Sequence, residues 1–427
     1  MNPQIAPAPT DGRPLKVAVI CQSDSLGGAA VVTRRLVHAL QAEGVDASLL
    51  AFHKLSTDDT VHTTSSRIIR AVTFMGERIG IFLRNGFSRR NLFKVSTAST
   101  GIDLSHHPVV RDADVIVLSW INQGMLSLKG IARLASLGKP IVWTMHDMWN
   151  ITGICHHAYE CTSYTDRCGN CRFLTGRSAH DLAYRTQHRK DTLYHKHPIT
   201  FVAVSNWLAE RARKSSLLRD ADVRVTPNAF PSHSYPTPPA RDLRGVGESP
   251  LIISMGAARL DDPIKGLNYA IDALNHLFDN DPELARKSLA VFFGGIKDPS
   301  AFDRLRFPFR HLGQINDGNV LRQLYAHTDV VLSTSLYETL PGTLIEGMAA
   351  GAVPVSFGRG GQNDIFEHLH TGYMAEYKNA EDIAAGIKWA LTHRRKREDQ
   401  HAEVRRRFSS SAIASQYIAL FRELLAK

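Results

Sequence analysis

Short unbroken apolar runs alternate with longer stretches of helical period along most of this chain. In the first half the runs are 15–21 (LKVAVIC), 114–119 (DVIVLS), 140–144 (PIVWT) and 199–204 (ITFVAV). In the second they are 251–255 (LIISM), 289–294 (LAVFFG), 329–333 (DVVLS) and 353–357 (VPVSF). Runs this short and this rich in valine and isoleucine predict buried strands. Residues 29–43, 128–137, 266–277, 319–327, 382–391 and 411–425 carry helical patterns between or after them, and Ser205 is placed to cap a further helix. Alternating strands and helices predict parallel, doubly wound sheets, one in each half. Proline, serine and charge dominate 231–250, which reads as an interdomain linker. The expected division is an N-terminal domain over 1–230 and a C-terminal domain over 251–407. A last segment, 408–427, is expected to pack back toward the first domain, and the first residues read as a disordered lead-in.

Residues 67–94 break the pattern. Arg67, Arg70, Arg78, Arg84, Arg89, Arg90 and Lys94 face one acid, Glu77, and Ile68, Ile69, Val72, Phe74, Met75, Ile79, Phe82 and Leu83 interleave with them. This predicts one or two basic amphipathic helices. Either the apolar side packs on the core and the basic side is solvated, or the segment contacts anionic lipid headgroups or the pyrophosphate of a lipid-linked acceptor. A second basic run, Arg394, Arg395, Lys396, Arg397 and Arg405 to Arg407, reads as a solvated helix face. The net charge of +10 suits nucleic acid, an anionic membrane face or a phosphorylated substrate. With 43% hydrophobic and 22% charged residues the composition is that of a soluble globular protein. No run of about 18 uncharged apolar residues predicts a transmembrane helix, and the N-terminus lacks the apolar core of a signal peptide. A cytoplasmic location, peripheral at the inner membrane face, is expected.

Candidate chemistry concentrates in four places. The turn after the first strand carries Gly27-Gly28 but no G-x-G-x-x-G, so a dinucleotide fingerprint is absent. The pair marks either a tight turn or backbone approaching a ligand phosphate or acceptor sugar. His146 follows the strand 140–144, at the end where open α/β sheets bind ligands. Cys155, Cys161, Cys168 and Cys171 are spaced C-x5-C-x6-C-x2-C, with His156 and His157 nearby. Four thiolates would complete a tetrahedral structural zinc site, although a typical site shows two knuckles and this one has one. Free thiols in a packed loop are the other reading, and a reducing cytoplasm disfavours disulfides. In 335–361, finally, Glu338 and Glu346 sit eight positions apart around Pro341-Gly342 and a short helix. The N–H groups of Thr343 and Leu344 at that helix start would attract a phosphate, and the carboxylates would accept sugar hydroxyls. Together they describe a nucleotide-sugar pocket.

Arg259, Lys265-Gly266, Glu338 and Glu346 with seven residues between, and Gly360-Gly361 resemble the retaining enzymes of glycosyltransferase family 4. Gly27-Gly28, His146-Asp147, Ser205-Asn206-Trp207 and Pro227-Asn228 precede them in family order. The run 146–171 (HDMWNITGICHHAYECTSYTDRCGNC) is similar to a subset acting in capsular, exopolysaccharide and colanic acid assembly. The resemblance covers the chain from Leu15 onward. It implies the α/β GT-B fold, two Rossmann-like domains facing a cleft. It implies that Arg259 and Lys265 hold the donor diphosphate and stabilise charge on the leaving group. Glu338 would take donor sugar hydroxyls and Glu346 the ribose, with Gly342, Thr343 and Leu344 lining the donor. His146 would contact the sugar near the reacting carbon, and Gly28 would let the first loop approach diphosphate and acceptor. The implied co-substrate is a UDP- or GDP-sugar, with no metal required for catalysis. The implied acceptor is a glycan or a polyprenyl-pyrophosphate-linked oligosaccharide. Two departures stand out. Glu346-Gly347 replaces a common Glu-Ala pair, and Gly342 stands where asparagine is frequent, which bears on donor choice. Two rival readings are a basic nucleic-acid-binding protein with a zinc knuckle and a GT-B nucleotide-sugar epimerase. Splitting of the basic residues into two runs disfavours the first, and nucleic acid is not expected as a partner.

Overall fold

The computed structural model describes residues 12–235, 250–393 and 396–427. Most of the expected linker (236–249), the first part of the lead-in (1–11) and Arg394-Arg395 lie outside the described residues. The chain forms two units, Met1–Phe230 with Ser410–Lys427, and Pro231–Ser409.

In the first unit seven parallel strands lie in the order β3-β2-β1-β4-β5-β6-β7. They are β1 Lys16–Ser23, β2 Asp46–His53, β3 Val61–Thr63, β4 Val115–Leu118, β5 Ile141–Met145, β6 Ile199–Ala203 and β7 Val223–Val225. In the second unit six parallel strands lie in the order β10-β9-β8-β11-β12-β13. They are β8 Leu251–Arg259, β9 Ser288–Gly295, β10 Phe309–His311, β11 Val330–Ser333, β12 Val353–Phe357 and β13 Tyr373–Ala375. Both orders reverse once, between β1 and β4 and between β8 and β11. Each unit is therefore doubly wound, with a crevice at the carboxyl ends of those strands. The apolar runs are buried because helices cover both faces of a parallel sheet. Every residue of β4, β5 and β6 is buried.

Five elements had weak signals. β3, β7, β10 and β13 are three residues each, too short for a pattern. The helix Leu182–Lys196 reads as polar throughout, yet it buries Ala183, Thr186, Gln187, Lys190 and Leu193. The last helix, Ser410–Leu425, packs on α1 (Gly28–Ala42), and Ile413, Ala414, Tyr417 and Phe421 join the core made by Val17, Val19, Val37 and Leu40. The helix Gly342–Ala349 lies tightly on β11, where a Cβ on Gly347 would come within 2.6 Å of the Val331 side chain. That contact explains glycine, rather than alanine, after Glu346.

The basic segment forms one helix, α2 (Arg67–Arg84), capped by the Ser66 side chain. Its orientation overturns the reading in which the apolar side packs on the core. Its buried residues are Glu77, Arg78 and Ile81, while Ile68, Val72, Met75, Ile79 and Leu83 are exposed. Glu77 Oε1 accepts the N–H groups of Thr97 and Ala98 at 2.8 Å each, and Glu77 Oε2 takes Arg78 Nη2 at 2.8 Å. Arg78 Nη1 donates to the carbonyls of Leu92 and Val95 at 2.5 and 3.2 Å. The ion pair thus fastens α2 to the segment 92–98. Removing one member of a buried pair leaves an uncompensated charge. Glu77→Ala should lower unfolding free energy by about 3–5 kcal/mol, and Glu77→Gln, which keeps one acceptor, by less. Equilibrium denaturation of the three proteins checks this; equal stability of Glu77→Ala and wild type would remove the pair as the anchor.

Candidate functional site

In the first unit the candidate residues gather at the carboxyl ends of β1, β4 and β5. The loop after β1 is held by short side chains. Ser23 Oγ accepts Leu26 N–H at 3.1 Å, and Asp24 accepts the N–H groups of Leu55 and Ser56 at 3.0 and 2.8 Å. Gly27 takes φ 86°, and α1 starts at Gly28 without a side-chain cap.

His146 directly follows β5 and is half-buried. Thr33 Oγ1 donates to Ala29 O at 2.6 Å, so it accepts from Ser119 Oγ at 2.5 Å. Ser119 Oγ, having spent its proton, accepts from His146 Nε2 at 2.8 Å. The network assigns the proton to Nε2 and a lone pair to Nδ1. Burial lowers the His146 pKa to about 4, only partly opposed by the Asp147 charge. His146 is therefore neutral near pH 7. It can orient a hydroxyl or accept a proton, and it does not act as a cation.

Asp147 is buried and filled by three donors. Trp149 N–H reaches Oδ1 at 2.7 Å, Trp120 Nε1–H reaches Oδ2 at 2.8 Å and His156 Nδ1 lies 2.7 Å from Oδ2. Burial alone would raise its pKa, but His156, His157 and the Trp149 N–H outweigh burial and hold the carboxyl well below the usual range. His156 Nε2 in turn meets Ser96 Oγ at 3.1 Å. From the helix Leu182–Lys196, the fully buried Lys190 donates to the carbonyls of Trp149 and Thr152 at 2.5 and 3.0 Å. Its ammonium lies 3.3 Å from the Trp149 ring centre, and burial pushes its pKa well below the usual value.

The four clustered cysteines line one cavity of about 110 Å³. All are free thiols. Burial, reinforced by the neighbouring sulfurs, pushes Cys155 up to about 12, and burial pushes Cys168 up to about 11. The loop thus brings the expected set together as neighbours. Among the described residues, however, no group of three or more His, Cys, Asp or Glu is placed to hold a metal ion.

In the second unit Arg259 ends β8, exposed, with Nε 3.2 Å from Asp261 Oδ1. Lys265 and Glu338, expected to hold different parts of a donor, are half-buried and ion-paired to each other through Nζ and Oε1. The Glu338 charge raises the Lys265 pKa, against the effect of burial. The two are adjacent because their loops are stitched together. Thr334 Oγ1 donates to Gly266 O at 2.9 Å, and Leu336 N–H to Ile264 O at 2.8 Å. Gly266 takes φ 65°, and a Cβ there would stand 2.1 Å from Thr334 O. Gly361 N–H reaches Glu338 O at 2.9 Å. Buried Gln362 accepts from Ser333 and donates to the carbonyls of Ser335, Phe357 and Arg359. Pro341 is the N-cap of the helix Gly342–Ala349, one position earlier than a first-turn proline, and no side chain caps that helix. Thr343 and Leu344 lie in its first turn and Glu346 further along it. Thr33, Ser119, Lys190 and Gln362 carried no spacing signal in the sequence; partners distant along the chain define them.

The low pKa of His146 makes stability depend on pH. An unfolded histidine binds a proton near pH 6.5, while native His146 binds one only near 4. Between those values the unfolded chain holds more protons, so stability falls as pH drops through that window, by about 3 kcal/mol in all. His146→Gln removes this share. In urea titrations at about pH 7 and about pH 4.5 the wild type should lose more stability than the variant. Equal losses would mean that His146 titrates normally.

Residues 26–232 match the family model Glycosyltransferase Family 4, and residues 241–407 match Glycosyl transferases group 1. The GDP-Man:Man(3)GlcNAc(2)-PP-Dol alpha-1,2-mannosyltransferase of Dictyostelium discoideum is 27% identical over 194 residues, 41% of this chain and 37% of that protein. WcaC of Escherichia coli, named for colanic acid biosynthesis, is 26% identical over 161 residues, 35% of this chain and 37% of that protein. The matches thus span little more than a third of either relative. The crystal structure of Anabaena HepE with UDP superposes with TM-score 0.60 at 16% identity, covering 96% of this chain and 100% of that one. Two family models in succession, on two doubly wound units, establish that the chain belongs to glycosyltransferase family 4 and has the GT-B fold.

Proposed function

We propose that this protein transfers a sugar, with retention, from a UDP- or GDP-sugar to a lipid-linked glycan in surface polysaccharide assembly, at the inner face of the plasma membrane. The observation that carries the reading is the Lys265–Glu338 pair beside the uncapped start of the helix Gly342–Ala349. A cation, a sugar-hydroxyl acceptor and a helix N-terminus then lie together at the switch point of the second sheet, as a diphosphate-linked sugar requires. Donor diphosphate takes the charge of Arg259 and Lys265, and helix N–H groups near Thr343 add to it. Glu338, oriented by Lys265, accepts sugar hydroxyls, and Glu346 takes the ribose. Charge that builds on the leaving group is met by groups already in place, so little reorganisation is needed. In the first unit, neutral His146 and the open loop at Gly28 serve the sugar and acceptor. Nucleotide-sugar chemistry is supported by UDP bound to HepE and by the GDP-Man named for the Dictyostelium relative. A lipid-linked acceptor is supported by the PP-Dol in that relative's name, and a surface glycan by WcaC.

A donor present at a hundred times its Kd should stabilise the protein by about 3 kcal/mol. Thermal unfolding with UDP-sugars and GDP-sugars is the direct test, and the reading fails if none raises the melting temperature. Lys265→Ala should lower kcat/KM by about a hundredfold to a thousandfold, the loss expected for one preorganised charge-stabilising group.

Gly342 is the place to look for donor choice. A Cβ there meets nothing within 4 Å, so a side chain would enter open space. Gly342→Asn should fold with nearly unchanged stability and alter the ranking of donor sugars in the same thermal screen. An unaltered ranking would remove Gly342 from donor selection.

A further inference from the structure

The face of α2 that points to solvent is the wrong one for a helix that simply covers a core. Ile68, Val72, Met75, Ile79 and Leu83 recur at helical spacing along one stripe, and Phe87 extends it. All six are exposed, Ile68 at 76%, Val72 at 64% and Phe87 at 69%. Isolated exposed apolar residues are ordinary, but a continuous apolar stripe on a helix of 18 residues calls for a partner. Charge indicates which one. Arg67, Arg84, Arg89, Arg90 and Lys94 are also exposed, and the one acid between 64 and 94, Glu77, is buried against Arg78. A second copy of the chain would bring two such cationic faces together, which disfavours self-association. An anionic bilayer surface accepts both components: acyl chains take the stripe and headgroups take the cations.

We propose that the exposed face of α2, continued through Phe87, docks the protein on a bilayer containing anionic phospholipid, lying in the interface without crossing it. Among the described residues no helix is long and apolar enough to cross a membrane. The buried Glu77–Arg78 pair fixes α2 to the scaffold, so the apolar stripe is presented as a rigid surface. The chain enters α2 from the carboxyl end of β3, and β3, β1 and β5 run parallel in one sheet. Docking therefore brings the membrane to the end of the sheet that carries His146. The use of this surface rests on the proposed lipid-linked acceptor; its existence does not.

The test is flotation of the full chain with vesicles of phosphatidylcholine alone, and of phosphatidylcholine mixed with phosphatidylglycerol. Binding is expected to the mixed vesicles, falling steeply with added salt. Replacing Arg84, Arg89 and Arg90 by glutamine should weaken it about a hundredfold, at about fivefold per charge. Replacing Val72, Met75 and Ile79 by glutamine should weaken it as strongly while the thermal shift given by a nucleotide sugar is retained, which shows the fold intact. Failure to bind mixed vesicles, equal binding to both compositions, or binding unmoved by either triple variant would overturn the proposal. So would a concentration-dependent dimer in sedimentation that the apolar variant abolishes without any vesicle binding. Docking without transfer to any lipid-linked glycan would keep this surface and overturn the acceptor reading. Transfer in detergent by a chain that ignores vesicles would do the reverse.

Discussion

The N-terminal site depends on one buried carboxylate. An ion taken out of water costs several kcal/mol unless its lone pairs are filled and its charge is met. Asp147 is filled from three segments: its own turn through Trp149, the end of β4 through Trp120, and the cysteine-bearing loop through His156. Each donor has little freedom once the carboxylate is satisfied, so the turn that carries His146 is set before any ligand arrives. His156 passes the constraint on to Ser96, and Trp149 Nε1 donates to Ser96 O at 2.8 Å. Segment 95–98 is the same one that Glu77 grips. A path of hydrogen bonds and adjacent residues therefore runs from Asp147, next to the candidate histidine, to the helix that shows its apolar face to solvent.

The second unit solves a similar problem with a different group. There the organiser is an amide, Gln362, whose oxygen and nitrogen bind four backbone and side-chain groups around the turn that carries Glu338. Lys265 and Glu338 neutralise each other, which avoids a half-buried unpaired charge on either loop. In the proposed diphosphate complex the same lysine would have two anions to serve, with its charge already held in place by the first.

Most of the architecture was legible because parallel strands buried on both faces leave unbroken apolar runs. Each such run in the sequence corresponds to a strand, and the switch points follow from the order. The three-residue strands β3, β7, β10 and β13 were barely legible, since nothing periodic fits into three positions. The helix Leu182–Lys196 was hidden by its polarity; beside Ala183, Thr186 and Leu193 it buries a lysine and a glutamine that act by hydrogen bonding. The amphipathic character of α2 was plain in the sequence, but periodicity does not say which face turns inward. That was decided by Glu77, whose hydrogen-bond donors are backbone N–H groups about 20 positions away. Candidate residues marked by motif, such as Lys265 and Glu338, were visible singly, and their contact was not, because the carbonyl and hydroxyl bonds that join their loops leave no pattern.

The last helix completes the first unit: Ile413, Ala414, Tyr417 and Phe421 fill a core shared by α1 and strands β1 to β6, and Tyr417 OH bonds Thr144 at 2.9 Å. A ribosome delivers those residues only after the whole second unit has been made. Domains usually fold as they emerge, N-terminal first. Here the earlier-made unit must wait, with Leu36, Val37 and Leu40 uncovered, while the later-made unit already has all its parts. Its two crossings at 230–231 and 409–410 make the chain's vectorial order of synthesis the reverse of its order of completion.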